Sequence, residues 1–202
     1  MIENVLIIDT ETTGLSPEKG AKVIEVAAVL FNIKHRSVLQ CFSTLLPCDE
    51  NPVEKINHIK AGATRCDYPF MSNKPTQEQF ENIFDDPGMA ATIFLDERLS
   101  LDTILIEMAN AAQVCVAHNA QFDKKFIAML SCGQALLSKQ WICTKSNFTW
   151  PYPLCRLRLE DICYSMNVPY VNAHRALVDC LLLTQCFEKI DDLQERFDRC
   201  AI

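Results

Sequence analysis

Two carboxylates stand at the end of the first apolar run of the sequence. The segment IIDTETTGL carries Asp9 and Glu11 with one residue between them. Because successive side chains of a strand point to opposite faces, these two carboxylates are predicted to share one face. A buried acidic pair is costly unless a cation lies between its oxygens, so the pair could bind a metal ion. A solvated strand end would explain the same pair without an ion.

Two further segments carry acidic and imidazole side chains. In VCVAHNAQFD, an apolar run leads to Asn119, and Asp123 falls about one turn into the helix predicted next. In NAHRALVDC, Asp179 follows His174 by five residues, which turn a helix by about 500°. The two cannot share one helical face, so His174 is predicted on the loop before a helix that carries Asp179 in its first turns. Taken alone, an aspartate at the position of Asp123 is more often structural, because the helix dipole favours an acid in the first turn.

The pattern of apolar residues predicts the elements that position these side chains. Strands are predicted at 5–9, 22–32, 37–46 and 114–117, and helices at 101–113, from 120 to a stop at Gly133, at 159–166 and at 176–190. Ser100 and Asn119 are predicted to cap the helices that follow them. Strands come first and then alternate with helices, which indicates an α/β protein with a mixed sheet.

Composition limits the kind of protein that this chain can be. A chain of 202 residues with 49% hydrophobic content can bury a core as a single domain. A net charge of −7 argues against a surface that coats a duplex, but not against an enzyme that grips a strand end. Eleven scattered cysteines without a CxxC pair predict free buried thiols in a reducing compartment. Without a basic leader or an apolar run of roughly 20 residues, we expect a cytoplasmic protein with no membrane partner.

Taken together, the three segments resemble the motifs of the DEDDh exonucleases, the DnaQ-like branch of the ribonuclease H-like superfamily. All three family motifs occur in the family's order between Asp9 and Asp179. The TETTGL form is most similar to the proofreading members, typified by the epsilon subunit of bacterial DNA polymerase III. The resemblance implies an α/β fold with a mixed five-stranded sheet flanked by helices, as one exonuclease domain over residues 1–202. The proline-interrupted stretch at about 60–99 departs from the family's usual pattern.

The resemblance also implies a role for each motif residue. Four carboxylates would hold two divalent ions, Mg²⁺ or Mn²⁺, which prefer oxygen ligands. His174 would be the general base, because histidine changes charge between about pH 5 and pH 8. The five-residue step from His174 to the last carboxylate matches the histidine subclass of the family. The four carboxylates are Asp9, Glu11, Asp123 and Asp179.

Four residues would contact substrate by the same resemblance. Leu15 would be a wedge against the terminal base, and Asn119 and Phe122 would line the nucleotide pocket. Phe122 could equally pack in the core. His58, in the segment INHIKAGAT, would touch substrate if this segment corresponds to the histidine-bearing segment of the family. A position on a surface helix is the alternative for His58.

The sequence therefore predicts a 3'-5' exonuclease that removes nucleoside monophosphates from single-stranded DNA by a two-metal-ion mechanism. An RNA-trimming exoribonuclease of the same family is the main alternative, because the metal chemistry ignores the sugar. A catalytically silent module that binds nucleic acid or a partner is the second, although such a module has no need of four converging carboxylates. Another metal-dependent hydrolase is the third. Expected partners are single-stranded DNA or RNA 3' ends, and a polymerase or another replication or repair protein.

Overall fold

The computed structural model describes residues 1–46, 48–61, 101–154, 156–170 and 174–200. The predicted Ser100 cap and nearly all of the proline-interrupted stretch at about 60–99 lie outside the described residues. The single-domain organisation over 1–202 therefore stays a prediction. The nine cysteines in the described residues are free, and seven of them are buried. Among these same residues, no helix combines the length and the apolar character that crossing a bilayer requires.

Five strands in the described residues form one mixed sheet in the order β3-β2-β1-β4-β5. The central strand β1 is antiparallel to β2 and parallel to β4, β3 is antiparallel to β2, and β5 is parallel to β4. The predicted mixed five-stranded sheet is thus confirmed. The strands are β1 (Asn4–Thr12), β2 (Val23–Asn32), β3 (Ser37–Leu45), β4 (Val114–Ala117) and β5 (Gln140–Cys143).

Helices cover both faces of the sheet. A short 3-10 helix, Pro17–Lys19, lies in the loop between β1 and β2. The α-helices in the described residues are α1 (Glu54–Asn57), α2 (Leu101–Ala111), α3 (Ala120–Ile127), α4 (Gly133–Leu137), α5 (Leu159–Ser165), α6 (Ala176–Glu188) and α7 (Leu193–Cys200).

The alternation of side chains along β1 divides the core into two layers. Val5 and Ile7 pack into a cluster with α5, α6 and α7, which we call the α6 face. Leu6 and Ile8 pack into a second cluster with α2, α3 and α4, which we call the α3 face. Because the alternation continues along the strand, the next odd-numbered side chains, Asp9 and Glu11, project towards the α6 face.

The predicted side-chain cap at Asn119 is wrong. Asn119 does occupy the N-cap position of α3, but its backbone is left-handed, with φ 86°, and its side chain makes no cap hydrogen bond. A capping side chain reaches the first amides of a helix from an extended backbone, which Asn119 does not have. Its amide group is exposed instead, beside the end of β4.

The predicted helix stop at Gly133 is also wrong. The helix that begins at Ala120 already ends at Ile127, and Gly133 is the first residue of α4. A Cβ atom at Gly133 would overlap the carbonyl oxygen of Ile127. Glycine is therefore needed here for the close approach of two backbone segments.

Candidate active site

Three carboxylates converge at the carboxyl end of β1. Asp9 and Glu11 project from one face of the strand, and Asp179 is the fourth residue of α6, which packs on that face. Each of the three offers an oxygen atom, and these atoms all lie within 4.8 Å of one another. Hard oxygen donors at this spacing fit a divalent cation. The structure thus brings together three of the four predicted metal-binding carboxylates.

Asp123 reaches the same strand end from the opposite side of the sheet. It is the fourth residue of α3, only 1% exposed, and its carboxylate accepts a 2.9 Å hydrogen bond from the Thr10 hydroxyl. The charge of Asp123 contributes to raising the pKa of Asp9, after burial as the largest cause. Burial raises the pKa of Asp123 itself to about 7, although the bond from Thr10 opposes the shift. The role of Thr10 was not apparent from the sequence.

The start of α6 carries the predicted histidine. His174 lies on the loop two residues before the helix, with a left-handed backbone, φ 42°. Arg175 is the N-cap residue, and its carbonyl accepts a 3.0 Å hydrogen bond from the backbone N–H of Asp179. The predicted arrangement, with His174 before the helix and Asp179 in its first turn, is the one observed.

A buried ion pair, which sequence reasoning missed, lies beside these carboxylates. The guanidinium of Arg175 donates to both carboxylate oxygens of Glu25, from Nε at 2.9 Å and from Nη2 at 2.8 Å. Glu25 is fully buried in β2, opposite Glu11 of β1. A signal was present in the sequence, because Glu25 is the one charged residue of the apolar run VIEVAAVLF.

Solved nucleases share this fold. The nuclease domain of 3'hExo, a DEDDh family member, bound to rAMP, aligns with a TM-score of 0.52 at 14% identity, over 100% of this chain and 95% of that one. E. coli Exonuclease I in complex with a dT13 oligonucleotide aligns with a TM-score of 0.55 at 14% identity, over 98% of this chain and 43% of that one. Identities this low show the fold alone. No protein-family model matches the chain.

Sequence similarity decides the family. The chain is 31% identical over 187 residues to the DNA polymerase III subunit epsilon of Treponema pallidum (strain Nichols), across 89% of this chain and 72% of that protein. The chain belongs to the DnaQ-like DEDDh exonucleases. The predicted family is thereby confirmed, together with the predicted class of enzyme, a metal-dependent 3'-5' exonuclease.

Burial raises the pKa values of the carboxylates in this DEDDh exonuclease. Burial, with the charges of its acidic neighbours, raises the pKa of Asp9 well above its usual value. Burial raises the pKa of Glu11 to about 9 and that of Asp179 to about 7, and the charge of Glu25 adds to both shifts. A divalent cation would favour the charged forms that burial and mutual repulsion disfavour. The donor set therefore fits a divalent metal.

The metal-free exonuclease should lose stability as pH rises. The pKa values of Asp123 and Asp179 are raised to about 7, so the folded chain holds protons that the unfolded chain releases. Their stabilisation is complete below about pH 4 and is lost as pH rises through about 7. In EDTA, we expect the thermal midpoint of the wild type to fall by about 10 °C between about pH 5 and pH 8, relative to that of an Asp123→Asn/Asp179→Asn variant.

Added Mn²⁺ provides the control for this titration. Metal binding requires deprotonated carboxylates, so saturating Mn²⁺ should raise the wild-type midpoint more at high pH than at low pH. A relative midpoint that rises with pH in EDTA would contradict the shifts described for this cluster. The measurement is a series of thermal unfolding scans followed by circular dichroism.

The predicted substrate residues lie around the same end of the sheet. Leu15 is 85% exposed and lines a cleft of about 590 Å³ between residues 13–22 and residues 48–52. His58 follows α1 with φ 58° and is also exposed. The buried side chain of Asn57 donates a 3.2 Å hydrogen bond to the carbonyl of Thr12, which holds α1 against the end of β1.

Phe122 has a different environment from the other predicted substrate residues. Its ring packs against the core of the α3 face, with its centroid 4.9 Å from that of Phe126. The side chain is nevertheless only half-buried, so one part of the ring remains accessible. Packing in the core therefore explains most of the contacts of the Phe122 ring. The side chain of Asn119, by contrast, is exposed.

Proposed function

We propose that this exonuclease removes nucleoside monophosphates from the 3' ends of single-stranded DNA by a two-metal-ion mechanism. The observation that carries the proposal is the convergence of Asp9, Glu11 and Asp179 within 4.8 Å at the end of β1. Asp123 approaches the same strand end from the other face, and His174 lies just before the helix that bears Asp179.

Each residue of the cluster has a place in this mechanism. Asp9, Glu11, Asp123 and Asp179 would hold the two ions, and Mg²⁺ or Mn²⁺ would suit these oxygen donors. Metal held there would supply stabilisation of negative charge on the attacking and leaving oxygens. His174 in its neutral form accepts the proton of the attacking water. The terminal nucleotide leaves with its 5' phosphate, and the shortened strand keeps a 3' hydroxyl.

Two relatives support DNA as the substrate. The Treponema relative is a subunit of a DNA polymerase, and the Exonuclease I structure holds an oligonucleotide of deoxythymidine. RNA is the second candidate, because the 3'hExo nuclease domain binds a ribonucleotide, rAMP, in the same fold. The carboxylate cluster itself does not choose between them, since the proposed metal chemistry takes place at the phosphate rather than at the sugar.

A polymerase is the proposed protein partner. The net charge of −7 gives the chain no general attraction for the phosphate backbone, so its affinity for DNA must come from the site or from a partner. A proofreading role beside a polymerase would supply the strand end directly. The similarity to a polymerase III subunit supports this role.

The test uses 3'-labelled and 5'-labelled single-stranded oligonucleotides of one sequence. Three forms should be compared: all DNA, all RNA, and DNA with one ribonucleotide at the 3' end. We expect metal-dependent release of 3' mononucleotides, with kcat/KM for the DNA end at least about tenfold above that for the RNA end. A reversed preference would make the chain an RNA-trimming enzyme. No release from any substrate, in Mg²⁺ or Mn²⁺, would favour a binding module.

Replacing Leu15 with serine should weaken substrate binding without loss of stability. The side chain is 85% exposed, so the folded protein has little packing to lose. If it packs against the terminal base, losing a contact of about 1.5 kcal/mol should raise KM for DNA about tenfold with kcat nearly unchanged. Leu39→Ser on the edge strand β3, also at an exposed leucine, is the matched control and should leave KM unchanged. Equal KM values for both variants would remove Leu15 from the substrate site.

A further inference from the structure

We propose that the buried Glu25–Arg175 ion pair is a positioning device for the reaction, which sets His174 and Asp179 against the carboxylates of β1. The inference rests on the proposed roles of His174 as the general base and of Asp179 as a metal ligand. Neither Glu25 nor Arg175 needs to touch substrate. Each acts through the segment that it holds.

Burying both charges of this pair carries a large desolvation cost. The side chains of Arg175 and Glu25 are 5% and 0% exposed, so both charges are removed from water. Apolar side chains of similar volume often stabilise a fold as well as a buried ion pair does, or better. Stability alone is therefore a poor explanation of this pair. Its fixed geometry suggests a role in positioning the residues next to it.

The Glu25 carboxylate accepts four hydrogen bonds, and three of the four donor atoms lie at the start of α6. Oε1 accepts from Nη2 of Arg175 at 2.8 Å and from the hydroxyl of Ser43 at 3.2 Å. Oε2 accepts from Nε of Arg175 at 2.9 Å and from the backbone N–H of Ala176 at 3.2 Å. These bonds fix Glu25 from β3 on one side and from α6 on the other.

Glu25 also replaces the missing helix cap. The first amides of a helix have no acceptor within the helix, and the N-cap side chain, Arg175, makes no cap hydrogen bond. The carboxylate of β2 accepts from Ala176, the first helical residue, in its place. Residues one turn on either side of this point, including His174 and Asp179, thus take their position from a side chain of the sheet.

The backbone at His174 explains why such a restraint is needed. Its φ of 42° lies in the left-handed region, which is uncommon for residues other than glycine. Such a conformation persists only where the surrounding structure enforces it. Arg175 is the next residue, and its bidentate bond to Glu25 is the nearest described restraint. Glu25 lies opposite Glu11 in the β1–β2 register. The bond to Glu25 therefore fixes the loop relative to the strand that bears Asp9 and Glu11.

The test is a double-mutant cycle between Glu25→Gln and His174→Ala on 3'-labelled DNA at saturating Mn²⁺. Glutamine keeps the shape of Glu25 but loses the charge that holds Arg175. In the wild-type background, we expect kcat to fall about 10- to 100-fold while KM for DNA changes less than about twofold. In the His174→Ala background, the same substitution should reduce the residual rate less than about threefold. An equal loss in both backgrounds would overturn the role through His174.

A second pair of variants separates positioning from stability. In Glu25→Leu/Arg175→Met, apolar side chains replace both charges, so the thermal midpoint should be at or above that of wild type while kcat remains at least about tenfold low. Phe187→Leu loosens α6 from within the core and should keep wild-type kcat at temperatures where it is folded. Wild-type kcat in the double variant would overturn the proposal. Failure of the proposed function would appear separately, as DNA hydrolysis that survives Asp9→Asn.

Discussion

Replacing Asp9 with asparagine should reduce the rate of 3' nucleotide release by at least about 10³-fold. Asp9 is the carboxylate that neighbours all the others, since the charges of Asp123, Asp179 and Glu11 each raise its pKa. Metal ions stabilise a transition state of this kind by several kcal/mol, and each tenfold in rate corresponds to about 1.4 kcal/mol. Single-turnover digestion of labelled DNA and a Mn²⁺ titration by calorimetry would measure the rate and the metal affinity together.

The same substitution should stabilise the metal-free protein. Burial raises the pKa of Asp9, so the folded state gains when its carboxylate is replaced by a neutral amide of the same shape. In EDTA at about pH 8, the thermal midpoint should rise by about 2–4 °C for each kcal/mol by which removing the buried carboxyl group stabilises the fold. Asp161→Asn is the control, because Asp161 pairs with the exposed Arg158 and should affect neither rate nor metal binding. Metal-dependent hydrolysis by Asp9→Asn at the wild-type rate would show that the cluster is not the active site.

Replacing His174 with alanine should lower kcat by about 10²- to 10⁴-fold and leave Mn²⁺ affinity unchanged. General bases contribute rate accelerations of this size, and His174 lies outside the group of three carboxylates that converge within 4.8 Å. His174→Ala should therefore lose proton transfer but keep metal binding. Asp9→Asn, by contrast, should lose metal binding and hydrolysis together. Steady-state rates and the same calorimetric titration are the measurements.

Added imidazole gives this prediction a sharper form. If His174 accepts a proton, free imidazole should restore part of the lost rate in His174→Ala and should not affect Asp9→Asn. His35→Ala is the matched control, because His35 is exposed in the turn between β2 and β3 and should have no effect on the rate. Full activity of His174→Ala without imidazole would rule out the general-base role.

The parts of the site that the sequence predicts are those set by local periodicity. The two-residue period of a strand places Asp9 and Glu11 on one face, and the structure has them there. The five-residue step from His174 to Asp179 excludes a shared helical face, and the helix does begin between them. These inferences need only the regular backbone geometry of a strand or a helix, which depends on residues close together in the sequence.

The parts that the sequence does not reveal depend on distant contacts. Glu25 and Arg175 are 150 positions apart, so their bond can be known only after β2 and α6 have packed together. The left-handed backbone of Asn119 likewise depends on the turn from β4 into α3, although asparagine adopts this conformation more readily than most residues. The four-residue strand β5, Gln140–Cys143, is too short to show an alternating pattern.

The place of β1 in the sheet makes the assembly of the site an all-or-none event. A slip of one residue in its pairing with β2 or β4 would turn Asp9 and Glu11 to the α3 face and bring Thr10 to the α6 face. It would also carry Ile7 and Leu6 into the wrong layers, so the slipped chain would lose its core together with its carboxylate cluster. One strand register thus serves two purposes, since the pairing that completes both hydrophobic layers is the same pairing that brings the carboxylates together.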